Sequence, residues 1–204
     1  MGRTGAPVRL MIPLWLALSL FWSLPSRADG VPLRGYVAVN QVLAARLFKP
    51  GSAFYLGHYL DEDTGESQGD DLLALMGTYD TNSQFINGTP NGINTLLWYL
   101  AFTGLSDDLG AVCDPPGQQP DVLALLDPEV EKMLEGLCAW KDPTVRTADK
   151  LQALWIQFLG FDAPYEEFEA FRDFMLGLGP ESGHQTVSDA TFVMLMNPYF
   201  LLRH

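Results

Sequence analysis

Basic side chains are scarce in this chain: 12 Lys and Arg stand against 25 Asp and Glu, a formal net charge of −13 at pH 7. A surface of that sign repels nucleic acid and anionic lipid head groups, and no basic run interrupts it, so no nucleic-acid partner is expected. Alternation of apolar and polar residues is also lacking over any useful length, which speaks against sheet-built folds. No repeat of fixed period appears, which removes solenoids and propellers. Cysteine occurs twice, at 113 and 138, and histidine three times, at 58, 184 and 204. Neither CxxC, CxxCH nor HExxH can be spelled from them, so a thioredoxin-type pair, covalent c-type haem and a zincin site have no support.

What is present begins with an export signal. Arginines at 3 and 9 precede an apolar run over residues 10–24, and Ser26-Arg27-Ala28 stands before Asp29. Basic, greasy and small-residue regions in that order predict a signal peptide at 1–28, cut after Ala28. A retained anchor is the competing reading, but the run is broken by Pro13 and is shorter than the ~20 residues that span a bilayer, so no stable span is expected after cleavage. Residues 1–28 hold three arginines and no acid, and their loss would take the net charge from −13 to −16. The expected location is the periplasm or the outer cell surface of a bacterium. There Cys113 and Cys138 meet an oxidising compartment, and a structural disulfide between them would contribute about 3 kcal/mol by constraining the unfolded chain. A redox or metal pair is the alternative use, although the spacing fits no zinc pattern.

Helical spacing dominates residues 29–204 and predicts one all-α domain, a bundle of about six to eight helices. Tyr36, Val39, Leu43 and Leu47 open it, stopped by Lys49-Pro50-Gly51. Ile93, Leu96, Leu97 and Leu100 form the stripe of a second segment whose other faces carry Trp98, Tyr99 and Phe102, which marks it as the central helix. Asp127-Pro128-Glu129 is an N-cap, a first-turn proline and a first-turn acid ahead of Val130, Met133, Leu134 and Leu137. Asp142-Pro143 is read as the start of the next helix, with Leu151, Leu154, Trp155, Phe158 and Leu159 as its buried face and Gly160 as its end. Phe168, Phe171, Met175 and Leu178, with Tyr165 and Phe174 alongside, predict an antiparallel partner ending at Gly179-Pro180. Ser188-Asp189 is read as the cap of the last helix before Pro198. Two stretches stand outside this pattern: an acidic block at 61–71 and a turn-rich connector at 80–95.

The block, DEDTGESQGDD, is the first candidate site, since calcium wants six to eight oxygens and acidic loops supply them. Its spacing is not that of an EF-hand, yet Asp61, Asp63, Asp70 and Asp71 could gather round a calcium ion and stabilise an adhesion or interaction domain. The plainer reading is a solvated loop whose last two acids start a helix. No other cofactor is expected. A hydrolase centred near His58 or His184 is a further alternative; Ser182-Gly183-His184 invites it, but neighbours in sequence are rarely catalytic partners. The apolar tail, running to within two residues of the end, should dock on its own bundle or into an envelope protein partner.

ADKLQALWIQFLG at 148–160 and TFVMLMNPYFLLR at 191–203 resemble the helical modules of large uncharacterised exported proteins of planctomycetes and myxobacteria, often joined to cytochrome c domains. In those modules a late helix runs into Pro-x-Phe-Leu and then arginine, matched here by Pro198, Phe200, Leu201 and Arg203. With no haem motif of its own, this chain would be an accessory helical module. The expectation from the sequence is therefore an exported, non-catalytic helical binding or structural module.

Overall fold

Proline, glycine and small polar residues punctuate the chain into short helices, and the apolar stripes between them decide how those helices pack. The computed structural model describes residues 36–57, 59, 92–142, 146–162, 164–178 and 182–201. Its helices are α1 (Tyr36–Leu47), α2 (Gly92–Gly110), α3 (Pro128–Cys138), α4 (Ala148–Leu159), α5 (Tyr165–Gly177), α6 (Gly183–Leu195) and the single-turn α7 (Pro198–Leu201), with 3-10 turns at Ala111–Cys113 and Asp121–Leu125. No strand occurs among the described residues. An isolated antiparallel bridge, Phe48 to Leu126, ties the end of α1 to the segment before α3. There the Lys49 N–H donates to Leu125 O at 2.8 Å and the Asp127 N–H to Leu47 O at 2.9 Å. The fold is all-α, and among the described residues no helix is long and apolar enough to cross a membrane.

The segment expected to be central, α2, packs chiefly on one helix, α6; among the described residues the joining positions belong to α6, which meets α2, α3, α4 and α7, and to α4, which meets α1, α3, α5, α6 and α7. The buried face of α2 also differs from the stripe read in the sequence. Trp98, Phe102, Leu105 and Leu109 are buried, at i, i+4, i+7 and i+11, together with Tyr99 and Ala101, whereas Leu100 is 39% exposed. The segment is apolar on nearly every side up to Phe102, so periodicity there could not choose a face; the residues that follow, Leu105 and Leu109, make the choice. Against this face lies α6, the most extensive helix–helix packing among the described residues.

The cap of α3 forms as predicted, with Asp127 Oδ1 accepting from the Glu129 N–H at 2.9 Å and Pro128 at the first helical position. Gly160 closes α4 in the left-handed conformation, φ 80°. Three other boundaries and one face move. Helix α4 starts at Ala148 rather than at Asp142-Pro143, and ahead of it Arg146 Nε donates to Trp140 O at 2.7 Å. The last long helix, α6, starts at Gly183, so Ser188 lies buried inside it instead of capping it. Helix α5 ends at Gly177, before residues 179–180, which lie outside the described residues. Its Phe171 and Met175 are buried, but Tyr165 in its first turn is 77% exposed.

Beyond α6 the tail returns to the bundle. Asn197 Oδ1 accepts from the Tyr199 N–H at 2.9 Å and starts α7. Phe200 is buried, edge-on to Phe102 of α2 at 6.0 Å, and Tyr199 meets Phe161 at 5.3 Å. Of the two docking surfaces weighed for the tail, its own bundle holds the aromatic part.

Candidate functional site at the disulfide end of the bundle

Where α2 ends, a 3-10 turn carries the chain to Cys113 and Asp114; where α3 ends, Cys138 comes alongside. The two cysteines form a disulfide with Cα atoms 5.5 Å apart, so neither is a free thiol. The first turn of α6 is inserted beside this bridge. It fits because two residues have no side chain: a Cβ on Gly183 would lie 2.5 Å from the Cys138 carbonyl oxygen, and one on Gly110 would lie 2.6 Å from the His184 carbonyl oxygen and 2.8 Å from its Cδ2. Ser182 caps the helix, its Oγ accepting from the Gln185 N–H at 3.1 Å.

These close approaches set His184 between two carboxylates. Its Nδ1 is 2.7 Å from Asp114 Oδ2, and its Nε2 is 3.1 Å from Asp107 Oδ1, on the last two turns of α2. The His184 side chain is 26% exposed, Asp114 31% and Asp107 73%, so one arm of this clasp is sheltered and the other faces solvent. Burial by itself would lower the His184 pKa, but the hydrogen bond from Asp114, then that from Asp107, then the charge of each outweigh it and hold the group above its usual 6.5. With the ring protonated both nitrogens donate, and the two carboxylates favour that form over what a free imidazole would show. Next door, Asp108 Oδ2 accepts from Tyr59 Oη at 2.8 Å, which pins the residues before the acidic block to α2.

Of the candidates named from sequence, the structure brings Cys113 and Cys138 together and gives His184 a defined setting. It does not join Ser182 to that histidine: both ring nitrogens face carboxylates, and Ser182 Oγ accepts from the Gln185 N–H of its own helix. His58 and His204, the block at 61–71 with Asp61, Asp63, Asp70 and Asp71, and the connector up to residue 91 lie outside the described residues. Within that block Gly65-Glu66-Ser67-Gln68-Gly69 has the G-x-S-x-G spelling of a nucleophile elbow. An elbow needs an apolar strand before it and a helix after it; here acids flank both sides, which makes the spelling weak. Among the described residues no group of three or more His, Cys, Asp or Glu is arranged to hold a metal ion; in the clasp the two carboxylates sit on opposite edges of one ring, facing away from any common ligand point.

Asp107 and Asp114 were not singled out by sequence reasoning. A signal for the site did exist: Ser182-Gly183-His184-Gln185 is a capping box, which would have placed the helix start at 183 and His184 in its first turn. No family model, no curated protein and no solved structure matches this chain.

Proposed function

We propose that this chain is an exported, disulfide-stapled helical module with a non-catalytic binding or structural role in the bacterial periplasm or at the cell surface. The observation that supports this reading over a hydrolase is the occupancy of His184. A general base needs one ring nitrogen bare, facing the hydroxyl or water it deprotonates, with the other held by an orienting acid. Here a carboxylate stands at each nitrogen and Ser182 Oγ accepts in the helix cap rather than meeting the ring, so the charge pattern is that of a clasp. The disulfide supports export, because such bridges persist in oxidising compartments. The resemblance of 148–160 and 191–203 to exported accessory modules points the same way.

Two measurements test it. Protein recovered from native cells should begin at Asp29, and its cysteines should resist maleimide until reduced. A chain keeping Met1, with thiols that alkylate directly, overturns export. A panel of esters, phosphomonoesters and glycosides should be left intact by the purified protein. Turnover that disappears in His184→Gln or Ser67→Ala overturns the non-catalytic role.

A further inference from the structure

The disulfide and the clasp share one frame. Asp114 follows Cys113 directly, and Gly183, which precedes His184, rests on the main chain of Cys138: a Cβ there would be 2.5 Å from its oxygen and 3.0 Å from its Cα. The bridge that fixes Cys113 to Cys138 thereby also fixes Asp114 relative to the imidazole. Asp107 is anchored differently. It belongs to α2, whose packing against α6 does not pass through the sulfurs.

We infer that the Cys113–Cys138 disulfide and the Asp114–His184 contact form one proton-linked latch, in which the bridge holds the carboxylate on the imidazolium and the imidazolium holds the bridge closed against reduction by a dithiol. In that exchange a thiolate of the dithiol attacks one sulfur and breaks the S–S bond. Its second thiol resolves the mixed disulfide, so two electrons and two protons pass to Cys113 and Cys138 while the dithiol leaves as its own disulfide. Once the bridge is open Asp114 is no longer tied through Cys113 to the Cys138 backbone on which Gly183 packs, and the ring binds its proton less tightly with Asp107 alone. The redox state that holds a proton more tightly is favoured by acid, so His184 resists reduction at low pH and stops doing so once the ring is neutral. The charges around the ring support this assignment. Asp107 comes from α2 and Asp114 from the turn after it, while α3 meets the start of α6 through the backbone of Cys138. Lys150 of α4 directs its ammonium to Gly136 O at 2.8 Å, Asp108 accepts from Tyr59, and on α6 itself Gln185 donates to Asp189 at 2.9 Å.

The test equilibrates the full chain with reduced and oxidised dithiothreitol between pH 6 and pH 9 and counts thiols by alkylation and mass. At pH 6, His184→Gln and Asp114→Asn should each raise the reduction equilibrium constant by about three- to tenfold over the unaltered chain, and the ratio should approach one at pH 9. Asp107→Asn should keep most of the wild-type resistance. A ratio that does not change with pH overturns the latch, as does an Asp107→Asn effect equal to that of Asp114→Asn. If a variant fails to fold, the unaltered chain suffices: the His184 ring resonance followed through its titration should show a lower midpoint in the reduced protein than in the oxidised one, and equal midpoints overturn the coupling.

Discussion

An imidazole with a carboxylate at each nitrogen makes stability depend on pH in a stated direction. The folded His184 pKa is raised above the value of 6.5 that the unfolded chain shows, so its contribution is complete below about pH 6.5 and is lost as pH rises through the folded value. Because Asp107 is largely in water, the amount should be modest, about 1 kcal/mol. Urea midpoints measured from pH 6 to pH 9 should fall over that window in the native sequence, and the fall should flatten in His184→Gln; an unchanged profile in the variant would remove the clasp from the energetics. Sterics at the same place give a second expectation. Gly183→Ala puts a methyl group into the backbone of Cys138, which cannot turn away as a side chain could, and should cost about 1–3 kcal/mol in urea unfolding. Gly177→Ala, where nothing lies within 4 Å of the added carbon, is the control and should not destabilise by steric contact.

At the level of elements, the bundle is joined by a few polar contacts set in an apolar core, and two buried tryptophans separate what such a contact is worth. Trp140, in the turn after α3, donates from Nε1 to Met175 O of α5 at 2.9 Å. Trp155 of α4 is equally buried, but its Nε1 has no hydrogen-bond partner among the described residues. Replacing either by Phe removes ring volume, yet only Trp140→Phe also leaves a buried carbonyl without its donor. It should therefore be the more destabilising by about 1 kcal/mol, read from denaturant midpoints of the two variants side by side. Equal losses would mean that water already serves Met175 O. The start of α3 was legible at Asp127-Pro128, but the same Asp-Pro pair at 142–143 does not begin α4, and the start of α6 was misread where polar residues are buried. In α6 the hydroxyls of Thr186 and Thr191 turn back to Ser182 O and Val187 O, at 3.1 and 2.9 Å, so a stretch that reads as a polar loop packs inside the protein. A reading that waits for apolar residues before starting a helix places α6 too late for that reason.

For the whole molecule, one apolar cluster of described residues includes both Val39 of α1 and Phe200 of α7, so the single turn α7 is part of the fold. Phe200 is buried against Phe102, and Phe200→Ala should cost about 3–5 kcal/mol, lowering the midpoint of the single unfolding transition. A loss below about 1 kcal/mol would mean that the tail is docked elsewhere in solution and would return the envelope-partner reading to it. The ends of the bundle are tied in different ways. At one, Arg46 donates to Phe158 O and Gln157 to Arg46 O, joining α1 to α4 through main-chain acceptors. At the other stand the disulfide and the clasp.

The sequence by itself determined the class of fold, because helical spacing without alternation admits only helices; it named the only partner each cysteine could have, and the structure showed that they are bonded rather than a redox or metal pair. It also placed the Asp127 cap and the Gly160 stop, where a single residue's backbone or side-chain preference decides the matter. Only the tertiary structure decided which face of the first half of α2 is buried, since that half is apolar on nearly every side and takes its orientation from the packing of Leu105 and Leu109 further along. Only the tertiary structure brought Asp107, Asp114 and His184 together, from positions separated by as many as 77 residues, because that meeting depends on two glycines letting α6 close onto α2 and the Cys138 backbone. Close approach between distant segments is a property of shape, and no periodicity within either segment encodes it.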